Sequence, residues 1–164
     1  MSDDRLLDRA SVRRVRAALA AADVDADIIV LSDTARTAAD AARALGVEQG
    51  AIVKSLVFVV GDRPVLALVA GDRQCRQRAL PKALGLTGKV RRADADIVRD
   101  ATGFAIGGVA PVGHATALPT VIDASLARYE RVYAAAGHSY CVFGCAPGDL
   151  EKMTGAKTDA EIAE

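Results

Sequence analysis

The chain has 164 residues, 51% hydrophobic and 26% charged, a globular composition that excludes a disordered or fibrous chain. At this length one domain, residues 1–164, is expected, burying about 68–70% of its extended-chain surface. Its 21 basic and 21 acidic side chains cancel, so bulk charge points neither to a nucleic-acid binder, DNA included, nor to an anionic-membrane binder.

The opening MSDDRLLDRA places acids where a secretory signal needs a basic stretch and then an apolar one, so a cytoplasmic location is expected. Ser11 to Ala22 carries Val12, Val15 and Leu19 on one helical stripe with Arg13, Arg14 and Arg16 elsewhere, the pattern of an amphipathic helix. Asp27 to Leu31 reads as a short buried strand. Thr37 can cap the next helix, TAADAARALG, with Gly46 as its stop. The clearest element is AIVKSLVFVV, then Gly61-Asp62, then RPVLALVAGD: two β-rich runs joined by a two-residue hairpin signal, hence an antiparallel pair. Helical patterns return near Gln77 to Leu84 and Asp94 to Thr102. LPTVIDASL reads as a strand running into a short helix, RVYAAAG and YCVFGC as two strands, and Pro147 to Thr154 as a closing helix with proline in its first turn. The result is one mixed α/β layer fold with hairpins.

Two features break pattern. Lys54 lies mid-strand and shares a face with Ile52, Leu56, Phe58 and Val60, because side chains alternate across a strand. Either its stem lies on the core while the ammonium reaches water, or it forms the floor of a pocket and donates to a bound anion or carbonyl. The second feature is the run FAIGGVAPVGHA, Phe104 to Ala115, with glycines, a proline, a histidine and no charge. Uncharged residues extend from Ala101 to Ile122, but the glycines and prolines inside would leave backbone groups open in lipid, so no membrane span is expected. No Gly-Lys-Ser/Thr follows to make a P-loop, and the dinucleotide fingerprint fails on spacing. A turn, or a loop that offers amides to a ligand, remains. Amides beside a lysine would suit a carbonyl or ester, since both stabilise negative charge developing on oxygen.

Arg73, Arg76, Arg78, Lys82, Lys89, Arg91 and Arg92 form a basic run without an acid, either a solvated face or a contact for a phosphate backbone. Three cysteines, Cys75, Cys141 and Cys145, are odd in number and include no C-x-x-C, so neither a disulfide framework nor a zinc site is indicated. His114 and His138 lack metal-ligand spacing, and no metal or cofactor is expected. The six aromatics do not cluster as a base-stacking platform.

Lys54 within IVKSLVF, then TGFAIGGVAPVGH, PTVID, AAAGH and DLEKMTGA resemble, in order and spacing, the YbaK/prolyl-tRNA-editing superfamily, over about Asp27 to Ala156. The resemblance implies an α/β (α+β) fold, a mixed, strongly curved, barrel-like sheet surrounded by helices. It implies a trans-editing deacylase that hydrolyses the ester of a mischarged tRNA, of the tRNA-Pro type, without a metal. Its partners would be aminoacyl-tRNA and an aminoacyl-tRNA synthetase. The family's catalytic positions fall on Lys54, Gly107, Gly108 and Pro111. Substrate-binding positions fall on Thr37, Phe104, Val109, Ala110, Gly113, His114, Gly137 and His138, with Ser139 where proline is common in the family. Catalysis would rest on positioning, on Lys54 and loop amides, and on a water or a group of the substrate. Two other readings stay open: a non-catalytic module of the same fold that binds tRNA ends or a synthetase, and a thiol-based protein using Cys141 and Cys145.

Overall fold

The structure, a computed structural model, describes residues 3–32 and 37–164. In chain order the elements are α1 (Asp3–Leu7), α2 (Ala10–Ala21), β1 (Ile28–Val30), α3 (Ala38–Leu45), β2 (Ile52–Val60), β3 (Arg63–Ala70) and α4 (Leu80–Leu84). There follow β4 (Val90–Arg92), α5 (Ala95–Thr102), β5 (Thr120–Asp123), β6 (Val132–His138), β7 (Cys141–Cys145), α6 (Pro147–Thr154) and β8 (Lys157–Asp159). Every element expected from the sequence is present, the short helix after β5 as a 3-10 turn (Ala124–Arg128), but β1 is not the buried strand expected, since Ile29 is 39% exposed. The additions, α1, β4 and β8, are five residues or fewer, too short to carry a readable period. Local chemistry sets several boundaries: the Thr37 hydroxyl accepts from the Asp40 amide (3.1 Å) and the Asp94 carboxylate from the Ile97 amide (2.9 Å), each meeting an orphan donor of a helix start.

The strands form one mixed sheet in the order β1-β7-β6-β2-β3-β5-β8, with β4 also on β2. The β2–β3 hairpin is antiparallel with Val60 opposite Arg63, while β2–β6, β3–β5 and β5–β8 are parallel. The hairpin reads as continuous apolar sequence because both of its faces are covered. Val53, Val57, Leu66 and Leu68 join the larger core with Val12, Val15 and Leu19 of α2. Phe58, Val60, Val65, Ala67 and Val69 join a second core beneath Leu80 of α4.

Strand β2 has β3 along one edge, but its other edge is divided. Ile52 and Val53 pair with β6, and Phe58 to Val60 pair with β4. Between them, Lys54 to Val57 have a strand partner on one side only.

The glycine-containing run is fastened between α2 and β6. Phe104 is buried, with the Arg14 guanidinium 4.8 Å from its ring centroid and donating to the Gly103 carbonyl at 2.9 Å. His114 Nε2 donates to the Ala110 carbonyl at 2.7 Å, so this nitrogen carries the hydrogen. A Cβ at Gly113 would lie 3.3 Å from the Arg14 carbonyl oxygen, and one at Gly108 would lie 2.9 Å from the His138 nitrogen. On the far side of β6, Gly137 has φ 91° and meets the start of α2, where a Cβ would lie 2.7 Å from the Ser11 carbonyl oxygen. Asp123, 1% exposed, ties β5 to β3 by accepting from the Ala70 amide at 3.0 Å and from the Ser125 amide at 2.9 Å.

Two outcomes test this packing. Gly137→Ala combines a left-handed backbone with a clash against α2, and should destabilise the fold by about 2–4 kcal/mol, seen as a melting temperature lower by several degrees. A melting temperature equal to the parent's would refute the close approach. For His114, burial outweighs the carbonyl bond and lowers the pKa below its ordinary value. The folded state thus binds its proton later than the unfolded chain does, and stability falls as pH drops below about 6.5, by at most about 1.4 kcal/mol per pH unit for one proton. Replacing His114 with glutamine, which keeps a donor for Ala110, should reduce the loss of thermal stability between neutral and mildly acidic pH. An identical loss in both proteins would overturn this account.

Candidate active site

A cavity of about 490 Å³ opens at the divided edge of β2. One wall is Lys54, Ser55, Leu56 and Val57, continued by Arg92 and Ala93 at the end of β4. Opposite are Ile106, Gly107 and Val109 of the glycine run, Ala134, Ala135 and His138 of β6, and Ser139. Thr37, Ala38 and Gln49 contribute at the side of α3. No carboxylate is among the described residues that line it.

Lys54 meets both of its sequence readings in part. It is half-buried at the cavity wall, and its Nζ donates to the Arg73 carbonyl. Burial, with Arg92 adding to it, lowers its pKa, while Cys75, Asp123 and Asp72 act in the opposite sense. An ammonium has three donors, so one is engaged by Arg73 and two remain for a ligand.

Gly107 is the loop glycine that faces the cavity. Its φ is 95°, and a Cβ there would come no closer than 3.9 Å to Ser139, so the position requires glycine for backbone conformation and leaves room beside it. Ile106, the neighbouring side chain, is 65% exposed at the mouth. His138 Nδ1 accepts from the Tyr140 amide at 3.1 Å and its ring stacks on Tyr140. Burial, followed by Arg9, lowers its pKa. The neutral ring therefore carries its hydrogen on Nε2 and can donate but not accept there.

The structure brings together Lys54, Thr37, Gly107, Val109 and His138 around one cavity. The other expected positions do not line it. Gly108 is buried against the His138 backbone, and its amide donates to the Ala105 carbonyl at 3.0 Å. Phe104, Ala110 and Pro111 are core residues behind the loop. Gly113 and His114 lie toward α2, and Gly137 faces Ser11. These seven shape the wall from behind, because a loop pinned between a helix and a strand must turn most of its atoms to the protein. Thr37 lines the cavity while its hydroxyl accepts from Asp40, so the cap read from sequence and the rim position are one residue.

Sequence reasoning missed Ser55, Ile106 and Arg92. The Ser55 hydroxyl is buried and finds no partner among the described residues. It interrupts Val53 and Val57 on the other face of β2, a signal as legible as that of Lys54. The thiol reading loses ground at Cys145, which lies outside the cavity, whereas Cys141 is among the residues that line it. Cys141 and Cys145 are both buried, and burial pushes the Cys145 thiol up to about 12, far from a reactive thiolate.

A family model for the aminoacyl-tRNA editing domain matches residues 32–153. A crystal structure assigned to a trans-editing enzyme for prolyl-tRNA synthetase superposes with a TM-score of 0.87 at 40% identity, covering 95% of this chain and 98% of that one. An Enterococcus faecalis protein named for Cys-tRNA(Pro)/Cys-tRNA(Cys) deacylase activity is 30% identical over 120 residues, 72% of each chain. The proline–tRNA ligase of Citrifermentans bemidjiense is 38% identical over 87 residues, which are 53% of this chain and 15% of the ligase. The family match contains the divided strand edge, the glycine run and β6, the parts that make the cavity, and the chain belongs to the aminoacyl-tRNA editing domain family.

Proposed function

We propose that the chain acts as a trans-editing deacylase that hydrolyses the ester joining a wrong amino acid to a tRNA of the tRNA-Pro class. The carrying observation is the cavity at the bare edge of β2, where a lysine and a glycine-borne loop flank apolar walls without a carboxylate. Negative charge builds on the ester carbonyl oxygen when a nucleophile attacks, and the two remaining Lys54 donors with the Gly107 amide are the groups suited to stabilise it. Val57, Ile106, Val109 and Ala135 suit a small, neutral amino-acid side chain.

His138 is not arranged as a general base, since Nδ1 already accepts from Tyr140 and Nε2 carries the hydrogen. The attacking nucleophile is then a water held against the substrate's own ribose hydroxyl, which orients and activates it, and the protein supplies the positioning. The oxygen of an attacking water bonds to the ester carbonyl carbon, the ester C–O bond breaks, a proton of that water passes to the departing ribose oxygen, and the free amino acid and intact tRNA leave.

Lys54→Ala leaves the strand apolar and removes a desolvated charge, so the variant should be at least as stable as the parent. Its deacylation of mischarged tRNA-Pro should fall by about 10²–10³, the usual cost of one donor to an oxyanion. Gly107→Ala should lose activity of the same order, and the double variant should lose less than the product of the two. A folded Lys54→Ala protein within about threefold of the parent, far inside that loss, would overturn the site. Retained tRNA binding in a parent that releases no acyl group from any mischarged tRNA would instead make the chain a non-catalytic binding module.

Cys145→Ala should lose some stability from the core yet keep deacylation once folded, because the thiol lies outside the cavity. Collapse of the rate in that folded variant would restore the thiol reading.

A further inference from the structure

The basic run lies along a route that leaves the cavity. Arg92 lines the cavity and stands opposite Phe58 on β2, with its guanidinium 5.9 Å from the Phe58 ring centroid. Paired residues share a face, so Arg92 and Lys54 lie on the same side of the sheet. On that side is a second groove, lined by Cys75, Arg76, Arg78, Lys82 and Lys89 and, at its acidic wall, by Asp159, Glu161 and Glu164. The junction is short in sequence and in space: Lys54 donates to the Arg73 carbonyl, and two residues on, Cys75 begins the groove wall.

The charges of the groove are not equivalent. Arg78, Lys82 and Lys89 in the groove, and Arg92 at the cavity, are exposed and form no ion pair with the described residues. Arg76 is engaged, with its Nε 3.3 Å from a Glu164 carboxylate oxygen and its Nη1 3.7 Å from a Glu161 oxygen. That acidic segment is fixed to the same stretch of backbone, since the Arg76 amide donates to the Ile162 carbonyl at 2.6 Å and Gln74 and Glu164 exchange amide bonds at 2.9 Å. A row of free cations beside one cation held by carboxylates is the arrangement expected where a polyanion docks and displaces an internal anion.

We propose that this groove receives the phosphodiester backbone of the tRNA acceptor end, running from Arg92 at the cavity to Lys89, Lys82 and Arg78. Glu161 and Glu164 compete with the phosphates for Arg76. The proposal rests on the reading of the chain as an aminoacyl-tRNA deacylase and assigns the surface that such a substrate uses. Unpaired lysines and arginines release condensed counterions when they meet phosphates, so binding weakens steeply with salt. Carboxylates on Arg76 raise the cost of non-specific contact, because an RNA must first break an existing pair.

The test is titration of the parent and its variants with an uncharged tRNA-Pro transcript between low and moderate salt, together with deacylation kinetics. Lys82→Glu with Lys89→Glu should weaken binding and lower the salt slope by about 1.5–2, as expected when two phosphates are no longer neutralised. In turnover this pair should raise KM while kcat holds. Glu161→Gln with Glu164→Gln should do the reverse, tightening binding by about two- to fivefold, the scale of exposed ion pairs. Asp8→Asn with Glu151→Gln makes the same change in net charge away from the groove and should gain less. Unchanged affinity and slope in the lysine variant would overturn the docking surface. A gain in the glutamate variant no larger than that of the control would overturn the competition. Lys54→Ala should retain the parent's salt slope, so failure of the ester site and failure of the groove are read from different measurements.

Discussion

One edge of β2 is shared by two strands that do not meet, and the rest of the site follows from that shortfall. Strand β6 takes the first two residues and β4 the last three, so Lys54 to Val57 border the gap in the middle of the sheet. Neither neighbour can slide to close the gap. Strand β6 is held by α2 through Gly137, and β4 is held at its start by the β2–β3 turn, where the Gly61 amide donates to the Lys89 carbonyl at 2.9 Å. The glycine run then covers the gap from one side with its backbone, and the result is a cavity with apolar walls and one lysine.

The elements of this fold were largely legible because each carries its own local chemistry. The continuous β-rich runs and Gly61-Asp62 of the hairpin, the Asp94 cap of α5 and the Pro147 start of α6 are all short-range signals. What was not legible is the order of the sheet. The parallel pairing of β2 with β6 joins residues some eighty positions apart, and nothing local to either strand announces it. The same applies to β4 and β8, whose three residues each become strands only because a neighbour offers an edge.

Within the site, sequence reading fared unevenly for a physical reason. Lys54 stood out because a charge on an apolar face is costly and must have a cause. The glycines stood out together, but bare backbone has two uses that look alike in sequence. Gly108 and Gly137 are bare so that loop, strand and helix can press together, whereas Gly107 is bare with free space beside it. Only packing separates the two uses. His114 and His138 divide in the same way, one donating inward to a loop carbonyl and the other standing at the cavity wall.

The bond from Lys54 to the Arg73 carbonyl carries a thermodynamic consequence. A lysine stem free to sample its rotamers loses about 1.5–2 kcal/mol when it is held in one of them. In this fold that loss is met during folding, since the ammonium is already directed by a main-chain acceptor. Little of it falls on the reaction, and the charge needs no rearrangement as the ester oxygen becomes negative. The acceptor is itself steadied by the segment from Ile162 to Glu164, whose amide bonds clamp Gln74 and Arg76. The rigidity of the ester site thus has a remote anchor, and loosening that anchor would make the lysine floppy without touching any atom of the cavity.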